Sequence, residues 1–154
     1  MLARERSQSH RLRAGRWSET GRTYVVTTVT REREPVFDCW IAGFACAHTL
    51  PAAPADSSID TLAWVLMPDH VHWLITLQET RLEDVVRRFK SRAARAVNTS
   101  TGRTGPLWQG GYHDRAVRRE EDLQNLARYV IANPVRAGLC QRVLDYPLWD
   151  AACL

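Results

Sequence analysis

A chain of 154 residues, 45% hydrophobic and 25% charged, has the size and composition of one globular domain with a single sizeable core. No apolar run approaches the roughly 20 residues that a membrane helix needs. Arg4, Arg6, Arg11, Arg13 and Arg16 leave no apolar segment for a secretory signal, so the expected setting is cytoplasmic with no membrane partner.

The net charge of +4 is concentrated at one end: residues 1–22 hold six arginines against Glu5 and Glu19, and the rest of the chain is balanced. We therefore divide the chain into a basic arm over 1–22 and a domain over 23–154. Such an arm suits either contact with a polyanion or a solubilising tail. Cys39, Cys46, Cys140 and Cys153 form no C-x-x-C pair and are expected to be reduced, mostly buried small apolar residues rather than a zinc site.

Residues 24–30, YVVTTVT, are β-branched or aromatic throughout and predict a first strand. Pro35 opens a predicted helix over 35–50, in which Val36, Phe37, Trp40, Ile41 and Phe44 recur at helical spacing. Residues 51–58, PAAPADSS, are a loop. Residues 61–77 make two strand-like runs divided by the turn formers Pro68 and Asp69, hence a hairpin. Residues 82–97 follow helical period, with Leu82, Val85, Phe89, Ala93 and Ala96 on one face and Arg81, Arg88, Arg92 and Arg95 in a stripe beside it.

Residues 98–106 are rich in breakers and read as a loop, and 112–118 as a fourth strand. A last helix is expected over 120–133. Its acidic opening (Glu120, Glu121, Asp122) complements the macrodipole, and Asn133-Pro134 marks its end. The order β-α-β-β-α-β plus one helix predicts an α+β fold: a ferredoxin-like antiparallel sheet with helices packed on one face.

The stretch MPDHVHWLI, 67–75, places His70 and His72 on one face of a strand and Val71 and Trp73 on the other. Two imidazoles aimed together can chelate a divalent metal but need a further ligand from elsewhere. The bland reading is a solvated strand face. An H-x-H-x-H nucleotide hydrolase is excluded at its third position, which is Leu74. In the last helix Tyr129 and Asn133 stand at i and i+4, one turn apart on the same side. A metal-assisted tyrosine can act as a nucleophile, and an amide oxygen can ligate Mg²⁺ or Mn²⁺. Each also has a plain structural reading, Tyr129 as a half-buried packing residue and Asn133 as a helix terminus.

Three blocks in order, WVLMPDHVHWLI, LWQGGYHDRAVR and ARYVIANPVRAGL, resemble the REP-associated tyrosine transposases among the HUH single-strand endonucleases. The resemblance spans roughly residues 24–149. It implies that His70 and His72 are metal ligands, that Tyr129 is the catalytic tyrosine, and that Asn133 is the polar metal-binding position, with Mg²⁺ or Mn²⁺ as cofactor. It implies cleavage of single-stranded or hairpin DNA through a 5′-phosphotyrosine link that leaves a free 3′-OH. The alternative is a domesticated hairpin-binding protein that does not cut.

Tyr112, beside His113 and Asp114, is the rival nucleophile, but it lacks a helical i+4 oxygen partner. Arg88, Arg92 and Arg95, with Arg115 and Arg118 on the fourth strand, are the candidate phosphate contacts, against the reading of a solvated face. Trp108 and Tyr112 are candidates for stacking on unpaired bases, with a core position equally open for Trp108. Either a monomer or a homodimer is compatible with these features.

Overall fold

The computed structural model describes residues 21–50, 58–152 and 154. All but Gly21 and Arg22 of the expected arm, and all but Ser58 of the expected 51–58 loop, lie outside the described residues. The elements run β1 (Thr23–Val29), α1 (Trp40–Ala47), β2 (Ile59–Met67), β3 (His70–Leu77), α2 (Leu82–Thr101), β4 (His113–Ala116), α3 (Leu123–Ile131), α4 (Asn133–Arg136) and β5 (Trp149–Ala151). The five strands form one sheet in the order β4-β1-β3-β2-β5, with every neighbouring pair antiparallel. Its first four strands take the ferredoxin-like order, as expected from the sequence.

The centre of the sheet is the β2–β3 hairpin. Pro68 and Asp69 form its two-residue turn, which sets Met67 opposite His70 and fixes the register of both strands. Because side chains alternate, Val71, Trp73, Ile75 and Leu77 face one side of the sheet and His70, His72 and Leu74 the other. The first side packs against α1 and α2 through Val85, Phe89, Ala93, Ala42 and Cys46. The Phe89 ring sits between Trp73 and Trp108, at centroid distances of 5.2 and 5.7 Å. Lys90 ties α2 to the approach of β4, donating to the carbonyls of Gln109 and Gly111 at 2.8 Å each.

The other side is covered as well, which corrects the expectation of helices on one face only. In β2 the residues from Ala63 to Met67 are all buried, whichever way they point. Such a strand needs a layer on both faces. Ala127, Val130 and Ile131 of α3 supply the second layer, packing with Ala63, Leu74, Val65 and Met67. Asp122 caps α3, its Oδ1 accepting from the Gln124 and Asn125 backbone N–H groups at 2.9 and 3.3 Å. The helix therefore starts three residues later than its acidic opening suggested.

Other boundaries moved for local reasons. Residues 36–38 form a 3₁₀ turn with Val36 and Phe37 buried, and α1 follows it. That helix buries the small residues Ala42, Gly43, Cys46 and Ala47, while Trp40, Ile41 and Phe44 are exposed. Close approach explains the choice: a Cβ on Gly43 would lie 2.8 Å from Leu148 Cδ1. The helix α2 continues through residues expected to be loop and stops at Gly102, whose φ of 72° and N–H bond to the Asn98 carbonyl form a left-handed C-cap. The fourth strand is four residues long and ends at Ala116, so Arg118, expected on it, lies beyond its end, where its backbone N–H donates to Glu121.

The strand β5 was not anticipated. At three residues it is too short to carry an alternation signal, and its pairing with β2 defines it. Tyr146 holds the segment before it, donating its hydroxyl to the Leu66 carbonyl. Of the described cysteines only Cys46 is buried; Cys140 is intermediate and Cys39 exposed, against the expectation of mostly buried thiols. Among the described residues no helix is long and apolar enough to cross a membrane.

Leu74 is fully buried in the layer beneath α3. Leu74→Ala should cost about 2–5 kcal/mol of unfolding free energy, read from urea denaturation. A loss under about 0.5 kcal/mol, the range of a surface substitution, would contradict this packing.

Candidate active site

His70 and His72 stand half-buried on the face of β3 that α3 covers, with ring centroids 4.8 Å apart and planes nearly perpendicular at 83°. Each ring is held through Nδ1. The Asp69 carboxylate lies 2.6 Å from His70 Nδ1, and the Thr27 hydroxyl lies 2.8 Å from His72 Nδ1. Thr27 reaches His72 because β1 pairs with β3 in the register that sets these two residues opposite each other. With a carboxylate at Nδ1, His70 carries its proton there and keeps a lone pair on Nε2. The Thr27 hydroxyl is able to accept from Nδ1, and in that direction His72 has the same tautomer.

Electrostatics favour the neutral ring at His72. Burial first, then repulsion between the two imidazoles were both to protonate, and then the Arg136 charge, push its pKa down to about 4. Partial burial works against ionisation of Asp69, but the hydrogen bond with His70, aided by Arg33 at 3.3 Å, outweighs it and holds the carboxyl below its ordinary value. The turn residue is thus an anionic brace for His70.

Tyr129 and Asn133 stand at the junction of α3 and α4. A helix cannot continue past this point because Pro134 has no N–H to donate to the Val130 carbonyl. The Asn133 side-chain NH₂ takes that carbonyl instead, at 2.8 Å. This bond turns the nitrogen inward and leaves the amide oxygen as the atom able to ligate. Tyr129 is 62% exposed, so its ring is not the packing residue of the plain reading. Arg136 stacks its guanidinium 3.7 Å from the centre of that ring and donates to the Tyr129 carbonyl at 2.7 Å. The junction belongs to the helical layer that covers the histidine face, where Val130 packs on Val65 and Met67.

The other predicted site residues separate into groups. Arg115 lies opposite Val25, which lies opposite Leu74, so it shares the face of the histidines. It is bound by Glu121 at 2.7 and 3.2 Å, and the Arg118 backbone N–H donates to the same carboxylate. Arg88, Arg92 and Arg95 are exposed on α2, in the layer on the opposite side of the sheet. Trp108 is a core residue: its ring packs on Phe37 and Phe89, and its indole N–H donates to the Lys90 carbonyl. Tyr112 packs against that same core, away from the histidines.

Sequence reasoning missed Thr27, Asp69 and Arg136, and also His113, which lies opposite Thr27 at the end of the row through His72. Asp69 had a visible signal in its place before His70, although it read only as a turn former. Thr27 and Arg136 depend on strand register and on the helix break, which no local pattern announces.

Among the described residues no three His, Cys, Asp or Glu side chains gather as a metal cluster. In donor chemistry, two imidazoles and an amide oxygen suit a divalent ion. Two imidazoles are braced at Nδ1, the arrangement usual for metal-binding histidines, and the Asn133 oxygen faces away from its own hydrogen bond.

A family model described as "Transposase IS200 like" matches residues 19–133. A REP-associated tyrosine transposase of Escherichia coli K12 is 28% identical over 106 residues, covering 65% of this chain and 59% of the relative. A provisionally named counterpart from Haemophilus influenzae is 28% identical over 99 residues, covering 57% and 56%. This chain thus spans less than two thirds of either relative. The fold is similar to the solved structure of a REP-associated tyrosine transposase bound to a REP hairpin, with a TM-score of 0.72 at 24% identity, over 87% of this chain and 79% of that one.

The brace on His70 can be observed directly. Long-range ¹H–¹⁵N spectra of the metal-free protein should show the His70 proton on Nδ1, and Asp69→Ala should give a mixture of tautomers. An unchanged pattern in the variant would contradict the role given to Asp69.

Proposed function

Because the chain belongs to the IS200-like transposase family, we propose that it is a metal-dependent single-strand DNA endonuclease and strand transferase acting on hairpin DNA. The observation that carries this reading is the packing of α3, the helix that bears Tyr129, on the face of the sheet that carries His70 and His72. A hairpin substrate is supported by the REP hairpin bound to the structural neighbour.

In this reading His70 and His72, through Nε2, and the Asn133 amide oxygen would hold Mg²⁺ or Mn²⁺. When bound, that ion supplies charge neutralisation at the scissile phosphate. The Tyr129 phenol oxygen attacks phosphorus in line and forms an O–P bond as the bond to the 3′ oxygen breaks. The phenol proton leaves to a base, and the departing oxygen ends as a free 3′-OH. The 5′ phosphate remains esterified to Tyr129, so the bond energy is kept and the strand can be rejoined by the reverse attack of a 3′-OH. Tyr112 is the weaker candidate because its ring packs on the far side of the sheet.

An exposed tyrosine on a rigid helix reaches only a phosphate that comes to the histidine face. The DNA at the cut must then be unpaired, because a phosphate within a regular duplex cannot be brought against the sheet beside a tyrosine on a short rigid helix. Arg115 is the predicted phosphate contact on that face, and Arg118 adjoins it. Arg88, Arg92 and Arg95 serve the same substrate where the DNA extends past the sheet edge to the outer surface of α2.

With Mn²⁺ and labelled hairpin DNA, a denaturing gel should show a covalent protein–DNA adduct. Tyr129→Phe should eliminate it, Tyr112→Phe should retain it, and the perfect duplex of the same sequence should give none. Hairpin binding without any adduct would reduce the protein to a DNA-binding module.

His70→Ala or His72→Ala should abolish cleavage while hairpin affinity stays within a few fold, since arginine–phosphate contacts supply most of the binding. Wild-type cleavage in either variant would exclude the proposed ligands.

A further inference from the structure

On an unbroken helix, residues seven apart are separated by roughly 10.5 Å along the axis. Tyr129 and Arg136 are seven apart, yet the guanidinium carbon lies 3.7 Å from the tyrosine ring centre. The break at Asn133-Pro134 falls between them: α3 ends at Ile131, α4 starts at Asn133, and the Arg136 side chain reaches back to the last turn of α3. Its Nη2 donates to the Tyr129 carbonyl at 2.7 Å, so the same side chain grips both the backbone and the ring of one residue.

A cation near a helix C-terminus has an ordinary role, since it satisfies a free carbonyl and complements the macrodipole. The bond to the Tyr129 carbonyl would suffice for that. Stacking on the ring is a second, separate engagement, and capping does not require it. Arg136 is also exposed, so its planar fork retains N–H groups on the solvent side. A guanidinium lying on the ring face stands alongside the phenolic oxygen, where an attacked phosphate must arrive. Planar N–H pairs match phosphate oxygens in geometry and charge.

We propose that Arg136 is a further residue of the reaction: it fixes the Tyr129 ring in its attacking orientation and binds the scissile phosphate through the free edge of its guanidinium. This role rests on the reading of Tyr129 as nucleophile. It adds a contact to the nucleophile that the three metal-ligand candidates do not provide. An exposed tyrosine ring would otherwise sample several rotamers, and a misplaced attacking atom slows an in-line displacement steeply.

Two measurements test it. The first uses protein labelled with 3-fluorotyrosine, free of metal and DNA, in which Tyr129→Phe identifies the Tyr129 fluorine signal among those of the four tyrosines. Arg136→Met should move that signal and leave the other three in place. The second is the single-turnover rate of adduct formation at saturating hairpin DNA with Mn²⁺. Arg136→Met should slow it roughly 100-fold. Arg136→Lys, which keeps the charge but loses the planar stack, should give an intermediate rate.

An unmoved fluorine signal together with a wild-type rate would overturn the proposal while leaving Tyr129 as nucleophile. So would a fall in melting temperature with the saturated rate preserved, since that makes Arg136 a helix cap only. No adduct from the wild-type protein would refute the reading of Tyr129 itself, and the reaction role of Arg136 with it.

Discussion

The central hairpin is buried on both faces, and the rest of the structure answers that constraint. The ferredoxin-like order supplies α1 and α2 for one face of β2 and β3 only. The second face still presents Ala63, Val65, Met67 and Leu74, which would be costly to leave in water at roughly 1.5–3 kcal/mol for each larger side chain. The helix α3 closes it. That helix is amphipathic, so it brings Ala127, Val130 and Ile131 to the sheet and carries Tyr129 on its exposed flank. The site therefore follows from core packing, because the helix that seals the second layer also bears the tyrosine.

The polar residues lie where that second layer meets the hairpin turn. A short turn at Pro68-Asp69 places His70 at the start of β3 and brings the Asp69 carboxylate against it. The β1 register provides Thr27 for His72. Both rings are thus braced before any ligand arrives, and burial keeps His72 neutral. A proline in the helix end costs one backbone hydrogen bond, which the Asn133 side chain restores. Arg136 lies just past the same interruption and stacks on the Tyr129 ring. Structural repairs and candidate ligands are the same side chains here, so pre-organisation of the site needs little added machinery.

Much of this was legible in the sequence. Alternation fixed the two faces of β3, and the spacing of Tyr129 and Asn133 placed both at one helix end. The order of elements specified four strands of the sheet. What escaped were features set by contacts between distant segments. The apolar stripe of Trp40, Ile41 and Phe44 suggested the buried side of α1, yet close packing at Gly43 selected the small-residue side. The second layer left a trace that the order of elements masked: the unbroken apolar run AWVLM in β2 lacks the alternation of a strand covered on one face. The arginines of α2 were periodic and exposed as read, but only the topology shows that they lie across the sheet from the histidines.

The measurement that goes to the centre of this account is the chemical location of the DNA on the protein. After reaction with Mn²⁺ and a hairpin ending in single-stranded DNA, the covalent complex would be digested with nuclease and protease and the remaining nucleotide mapped by tandem mass spectrometry. The account predicts a nucleotide joined by its 5′ phosphate to Tyr129, with the released strand carrying a 3′-OH. A nucleotide on Tyr112, or one attached to any residue through a 3′ phosphate, would contradict it.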